Sequence, residues 1–124
     1  MKNKYNAKKV EYNGIKFDSQ FELKCWIYLE ELVKEGKINN LQRQVKFNLI
    51  PANSVYRALN YVADFTFFVN DRYIVADAKG YITTEFKIKQ KIFYDKYGNQ
   101  IYVFKKLSDV DKIIAMTKWQ TMMK

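Results

Sequence analysis

The sequence predicts one α/β domain: a mixed central sheet flanked by helices on both sides. Three observations carry this. Helical and strand periodicities follow one another in the order helix, three strands, helix, strand, helix. The strands are apolar on both faces, which requires cover on both sides of the sheet. The 124 residues are 48% hydrophobic and 17% aromatic, enough for one core, with no repeat, low-complexity tract or linker to divide it.

The elements follow in order. The opening "MKNKYNAKKVEYNG" is basic and polar, so residues 1–14 are expected to form a mobile basic arm. "FDSQFELKCWIYLEELVKEG" reads as a helix, with Ser19 and Glu22 as a capping box and Gly36 as the stop. At about 100° per residue, Phe21, Cys25, Trp26, Tyr28, Leu29, Leu32 and Val33 share one arc, and Glu22 falls near its middle. "LQRQVKFNLI" alternates Val45, Phe47 and Leu49 with Gln44, Lys46 and Asn48, which is strand periodicity, and Pro51 ends it. "PANSVYRALN" is a loop, followed by the hairpin "YVADFTFFVNDRYIVADAKG". "TTEFKIKQKIFYDKYG" is a helix with a Thr cap and Gly98 as its stop, "QIYVFKK" a short strand, and "SDVDKIIAMTKWQTMMK" a helix opened by Ser108 or Asp109.

The hairpin raises the chemical question. A two-residue turn at Asn70-Asp71, or a four-residue loop over Val69–Arg72, pairs Phe68 with Tyr73 and Thr66 with Val75. Asp64 then falls opposite Asp77, at about 5 Å between Cβ atoms, where like charges repel. Lys79, two residues on, shares the face of Asp77. Each acid has an ordinary explanation: Glu22 turned back to the Ser19 backbone, Asp64 capping a loop, Asp77 paired with Lys79. Together they would raise one another's pKa unless a cation neutralises them, and a divalent ion does so at once. Mg²⁺, with Mn²⁺ as substitute, suits carboxylates, a backbone carbonyl and water.

Composition narrows the chemistry. The chain has no histidine and one cysteine, Cys25, which excludes histidine-dependent triads, histidine-ligated zinc and a disulfide framework. No organic cofactor is expected. No stretch approaches the roughly 20 apolar residues of a membrane span, and the first ten lack a secretory signal's apolar run, so a cytoplasmic protein is expected. The net charge of +9, from 22 basic and 13 acidic residues spread along the chain, suits a polyanion such as nucleic acid. Arg43, Lys46 and Arg57 are candidate phosphate contacts.

"ADF" with Asp64, twelve intervening residues, then "DAK" with Asp77 and Lys79, behind a helix carrying Glu22, resembles the PD-(D/E)XK nuclease superfamily. The likeness runs from about Ile15 to Tyr97. Among its members, "FDSQFE", "QVKF", "YVADF" and "DAKG" look most like small phage and prophage endonucleases related to Holliday-junction resolvases. Two departures stand out: Ala63 replaces the proline, and Asp77 replaces the more frequent glutamate. The resemblance implies a restriction-endonuclease-like αβββαβ core and a metal held by Asp64, Asp77 and the carbonyl of Ala78. Glu22 would bind directly or through water, and Lys79 would orient the attacking water. It further implies DNA, branched DNA included, as partner, a bacterial host cell, and a homodimer cutting paired strands. Lys89 or Lys91, on the helix with Lys87, would approach the site, or else belong to a solvated basic face, and Gln44 would reach the cleft. The rival readings are a nucleic-acid-binding module that keeps the fold without cleaving, and a structural domain whose charges are surface features.

Overall fold

The structure is a computed structural model and describes residues 8–122, excluding the side chain of Thr121. Asn13 and Gly14, with φ of 52° and 77°, form a two-residue turn of the kind that joins tight hairpins. It links β1 (Val10–Tyr12) to β2 (Ile15–Phe17) in an antiparallel pair. Residues 10–14 are therefore strand and turn, not arm; of the rest of the expected arm, Lys8 and Lys9 are exposed and outside any element, and 1–7 lies outside the described residues.

Helix α1 (Gln20–Lys34) begins where the Ser19 hydroxyl accepts from the Glu22 amide at 3.0 Å. It ends in a Schellman motif: Gly36, at φ 75°, donates to Val33, and Lys37 donates to Leu32. Three antiparallel strands follow, β3 (Asn39–Ile50), β4 (Leu59–Val69) and β5 (Arg72–Ala78). Helix α2 (Thr84–Tyr97) is capped by the Thr83 side chain and by Gly98 in the left-handed region at φ 66°. It crosses to β6 (Ile101–Phe104), which pairs parallel to β5, and α3 (Ser108–Met122) closes the fold. The four-stranded sheet is mixed, in the order β3-β4-β5-β6. No helix among the described residues is long and apolar enough to cross a membrane.

The β4–β5 turn is Asn70-Asp71, with Asn70 at φ 56°. The register places Phe68 opposite Tyr73 and Thr66 opposite Val75, as the turn chemistry predicts.

Two cores lie on either side of the sheet. Cys25, Leu29 and Leu32 of α1 and Val110 and Ile114 of α3 pack on Phe65, Phe67, Val69, Ile74, Ala76 and Phe104. Phe86 and Phe93 of α2 pack on Leu49, Tyr61, Ala63, Val75 and Ile101. Strand alternation would put residues 61, 63, 65 and 67 on one face. Instead Tyr61 and Ala63 face α2, while Phe65 and Phe67 face α1 and α3. Strand β3 makes the same switch: Leu41 packs with the first core, Phe47 and Leu49 with the second. The exchange falls at Asp64 and, across the ladder between the Arg43–Phe65 and Val45–Ala63 pairs, at Gln44. Gln44 has φ 55°, a left-handed conformation costing a non-glycine residue about 1–3 kcal/mol. The simple alternation read from β3 and β4 is thus interrupted beside the hairpin acids.

Candidate functional site

The β4–β5 ladder stops at Phe65–Ala76. Counting from the tight turn, Ala63 and Ala78 would be its next hydrogen-bonded pair. Two carboxylates replace that rung. The Ala78 amide donates to Asp64 Oδ2 at 3.0 Å, and the Asp64 amide donates to Asp77 Oδ1 at 2.8 Å. Beyond this point β4 stays with β3, and β5 stays with β6, where Ala78 lies opposite Phe104 and the Lys79 amide donates to Phe104 O at 3.0 Å. The sheet forks, and Asp64 and Asp77 each cap the other strand at the opening.

Lys79 lies on the same side as Asp77, its Nζ 3.3 Å from Asp77 Oδ2 and 4.7 Å from the centroid of the Phe86 ring. Asp77 is 1% exposed, so its ordinary explanation, pairing with Lys79, is realised inside the protein.

Glu22 enters from α1 and is also buried. Its Oε2 accepts from the Asp18 amide at 3.0 Å, one residue before the expected capping-box partner, Ser19. Oε1 lies 3.4 Å from Gln44 Nε2 and 3.6 Å from an Arg43 guanidinium nitrogen. The left-handed turn at Gln44 accompanies this contact. Burial raises the pKa of Glu22, opposed by the Asp18 amide. Burial pushes Asp64 further, to about 8, with the Asp77 and Glu22 charges adding to it. Lys79 and Arg43 together do not balance three acids.

Glu22, Asp64, Ala78 and Lys79 line one open cavity of about 750 Å³, together with Thr83 and Lys105. Asp77 lines a second, of about 280 Å³, with Tyr61, Lys79, Thr83 and Lys89. The four expected site residues are brought together but do not share a single cleft: the fork divides them, and Lys79 and Thr83 line both sides. No group of three or more Asp, Glu, Cys or His side chains among the described residues is gathered to hold a metal ion.

The other candidates separate. Gln44 reaches Glu22, and Lys89 lines the Asp77 cavity, its Nζ 3.8 Å from Glu85. Arg43 is spent internally: it stacks 4.4 Å over Phe17 and donates to Lys16 O at 3.1 Å. Lys46 is exposed on β3, and Lys87 and Lys91 lie on the outer side of α2 with Tyr94 and Asp95. None of these three lines a carboxylate cavity.

Two residues at the site carried no sequence signal. Lys105 arrives through the parallel β5–β6 pairing. Tyr61 reads as one more apolar strand residue, yet its buried hydroxyl lies against the Asp77 carboxylate, just outside ordinary hydrogen-bonding geometry. Burial, then the charge of Asp77 and the hydroxyl's approach to its carboxylate, raise the pKa of Tyr61 and keep it a neutral phenol. Cys25, beneath the site, is pushed up to about 12 by burial and then by Asp64 and Glu22, which makes it an inert thiol.

Fold and site together define an α/β domain with a mixed sheet flanked by helices, whose central hairpin forks around an acid pair and a lysine. Over residues 2–110 the chain matches the family described as "Protein of unknown function (DUF1064)", and it belongs to that family. No curated protein and no solved structure matches it.

Proposed function

We propose that this protein is a metal-dependent endonuclease hydrolysing DNA phosphodiesters, built on a restriction-endonuclease-like core of the PD-(D/E)XK kind. The observation that carries the reading is the forked hairpin, where Asp64 and Asp77 interlock through backbone amides with Lys79 3.3 Å from Asp77. A structural salt bridge does not require a buried Glu22 and a part-buried Asp64 beside it.

The donor set fits a hard divalent cation. The interlock engages Asp64 Oδ2 and leaves Oδ1 without a partner among the described residues. Burial first, and the Asp77 and Glu22 charges after it, raise the pKa of Asp64 despite Lys79, and a divalent cation would offset all three. Asp64, Asp77 and the Ala78 carbonyl would hold Mg²⁺ or Mn²⁺, with water completing the shell and Glu22 acting through it. A bound ion lowers the pKa of its water and stabilises charge on the phosphate. Lys79 supplies a fixed positive charge at the mouth of both cavities, where a phosphate oxygen becomes more negative during attack. The Asp18 amide and Gln44 fix the carboxylate of Glu22 on the far wall. Without histidine, proton transfer falls to water and the carboxylates. The reading extends to a phage or prophage product in the bacterial cytoplasm, acting as a homodimer on branched DNA.

A second reading is favoured by one observation: both oxygens of Asp77 are already engaged, one by the Asp64 amide and one by Lys79. On that basis the chain is a nucleic-acid-binding module that keeps the fold without cutting. Incubation with branched and linear DNA in Mg²⁺ or Mn²⁺ separates the two. Cleavage abolished by Asp77→Asn and by Lys79→Ala supports the enzyme. Salt-sensitive binding without product from any substrate supports the module.

A further inference from the structure

Beyond the fork, β3 and β4 run on as a two-stranded ribbon. Val45 to Asn48 pair with Ala63 to Asn60, the β5 ladder has ended at Phe65–Ala76, and the loop 51–58 closes the far end. One face is covered: Phe47, Leu49 and Tyr61 pack under Phe86 and Phe93 of α2. The other face is bare. Directly opposed residues lay it out, Lys46 with Val62 and Asn48 with Asn60, and none of the four belongs to the core under α1 and α3. Lys46, Asn48 and Val62 are exposed, Val62 at 45%.

Charge, hydrogen bonding and shape describe what would cover it. Residues 45–63 contain Lys46 and Arg57 and no aspartate or glutamate, in a chain with 13 acidic residues. Neither cation is ion-paired among the described residues. Asn48 Nδ2 donates to Asn60 Oδ1 at 2.9 Å, which fixes both amides and leaves Asn48 Oδ1 and Asn60 Nδ2 without partners among the described residues. An acceptor beside a donor complements the N6 amino group and N7 of adenine, and an apolar side chain such as Val62 suits the thymine methyl. At about 3.3 Å per residue the ribbon runs for roughly 20 Å, the rise of about six base pairs. The major groove of B-DNA, about 12 Å wide, admits a two-stranded ribbon. Its tip is held in shape, because the Asn53 side chain accepts from the Val55 and Tyr56 amides, each at 2.8 Å.

We propose that the bare face of this ribbon seats in the major groove of duplex DNA, with Lys46 and Arg57 on phosphates and the Asn48–Asn60 pair against base edges. This rests on the reading of the protein as acting on DNA, and it gives that reading a duplex-binding element that senses sequence. The ribbon is rooted at Asp64, so a duplex seated on it reaches the fork. The other acids nearby are matched by cations. Asp77 and Glu85, in the cavity that Asn60 and Val62 border, stand 3.3 and 3.8 Å from Lys79 and Lys89. Asp95 of α2, close to Leu49 and Ile50, shares its cavity with Lys91 and Lys96.

The test is equilibrium binding, in EDTA, of the full chain to a pool of short DNA duplexes randomised at the centre. Lys46→Gln is expected to weaken binding to every sequence alike and to lower the slope of log affinity against log salt by about one. Asn48→Ala and Asn60→Ala should each bind the favoured sequence roughly tenfold more weakly and the rest of the pool as before. All three side chains lie outside both cores, so melting temperatures should not move; a binding loss that tracks a fall in melting overturns the direct contacts. Guanine N7, in the major groove, should be shielded from dimethyl sulfate. Shielding of adenine N3 alone places the chain in the minor groove and overturns the proposal. So does equal binding of an RNA duplex, whose A-form major groove is too narrow to enter. A wild type that prefers no sequence overturns the base contacts. Wild-type binding that all three variants retain removes the ribbon and leaves the DNA reading standing, whereas a wild type that binds no duplex at any salt concentration sinks the DNA reading itself.

Discussion

Replacing Asp64 with asparagine should make the metal-free protein more stable at pH 8, although it removes a residue we place at the centre of the site. The carboxyl of Asp64 has an ordinary pKa of 3.8 and is raised to about 8 in the folded chain, by burial first and by Asp77 and Glu22 after it. Between these values the folded protein holds a proton that the unfolded chain has lost. Stability therefore falls as pH rises through that window: it is fully present below about pH 4 and lost above about pH 8. One such group gives a slope of at most about 1.4 kcal/mol per pH unit. For a domain of this size that corresponds to a melting temperature lower by roughly 3–6 °C per unit. Glu22, also raised, acts with the same sign. Asp109 is lowered by the Lys105 and Lys106 amides, so its contribution is lost only as pH falls below the usual carboxylate range, outside the window. The chain has no histidine, so no imidazole titrates across pH 5–8 to mask the slope.

The asparagine of the Asp64→Asn variant keeps an oxygen for the Ala78 amide and carries no charge, so the variant should lose most of the slope. The assay is thermal melting in EDTA at several pH values from 5 to 8, repeated at pH 8 with Mg²⁺. Wild type should regain stability with the metal, by about 1.4 kcal/mol at ten times its dissociation constant, and the variant should not. A wild-type melting temperature that climbs from pH 5 to pH 8, or an identical slope in the variant, refutes the electrostatic account of the fork.

Two structural predictions accompany it. Ser19→Ala removes the acceptor of the Glu22 amide and should cost about 1 kcal/mol, read as a lower urea midpoint with an unchanged m-value. Phe104→Ala empties a fully buried position at the end of β6 and should cost about 3–5 kcal/mol in chemical denaturation; a cost under about 1 kcal/mol would mean that its ring does not pack in the core against α1 and α3.

Local chemistry was legible because it acts over a few residues. Ser19, Thr83, Gly36 and Gly98 mark helix ends through hydrogen bonds to their own neighbours and through backbone angles that glycine tolerates. Asn70-Asp71 sets a tight turn, and the turn sets the register as far as Phe65–Ala76, so Phe68–Tyr73 follows from residue types alone, whereas the expected Asp64–Asp77 pair lies beyond the end of the ladder and the two meet through backbone amides instead. The Asn13-Gly14 turn was equally local, but the basic residues around it masked the signal. The side-chain pairing of Lys79 with Asp77 needed only strand alternation.

Assembly decided the remainder. The change of face at Gln44 and Asp64 has no periodic trace, because strand alternation assumes an uninterrupted pleat and two opposed cores pull the strands apart there. The division of the acids between two cavities follows from that fork. Lys105 depends on a parallel pairing between strands joined through a helix, and Tyr61 on which core its strand happens to face. Which acids and lysines the chain contains, and which turns carry them, is written in short-range propensities. Where their charges end up relative to one another depends on long-range packing, which a linear pattern does not encode.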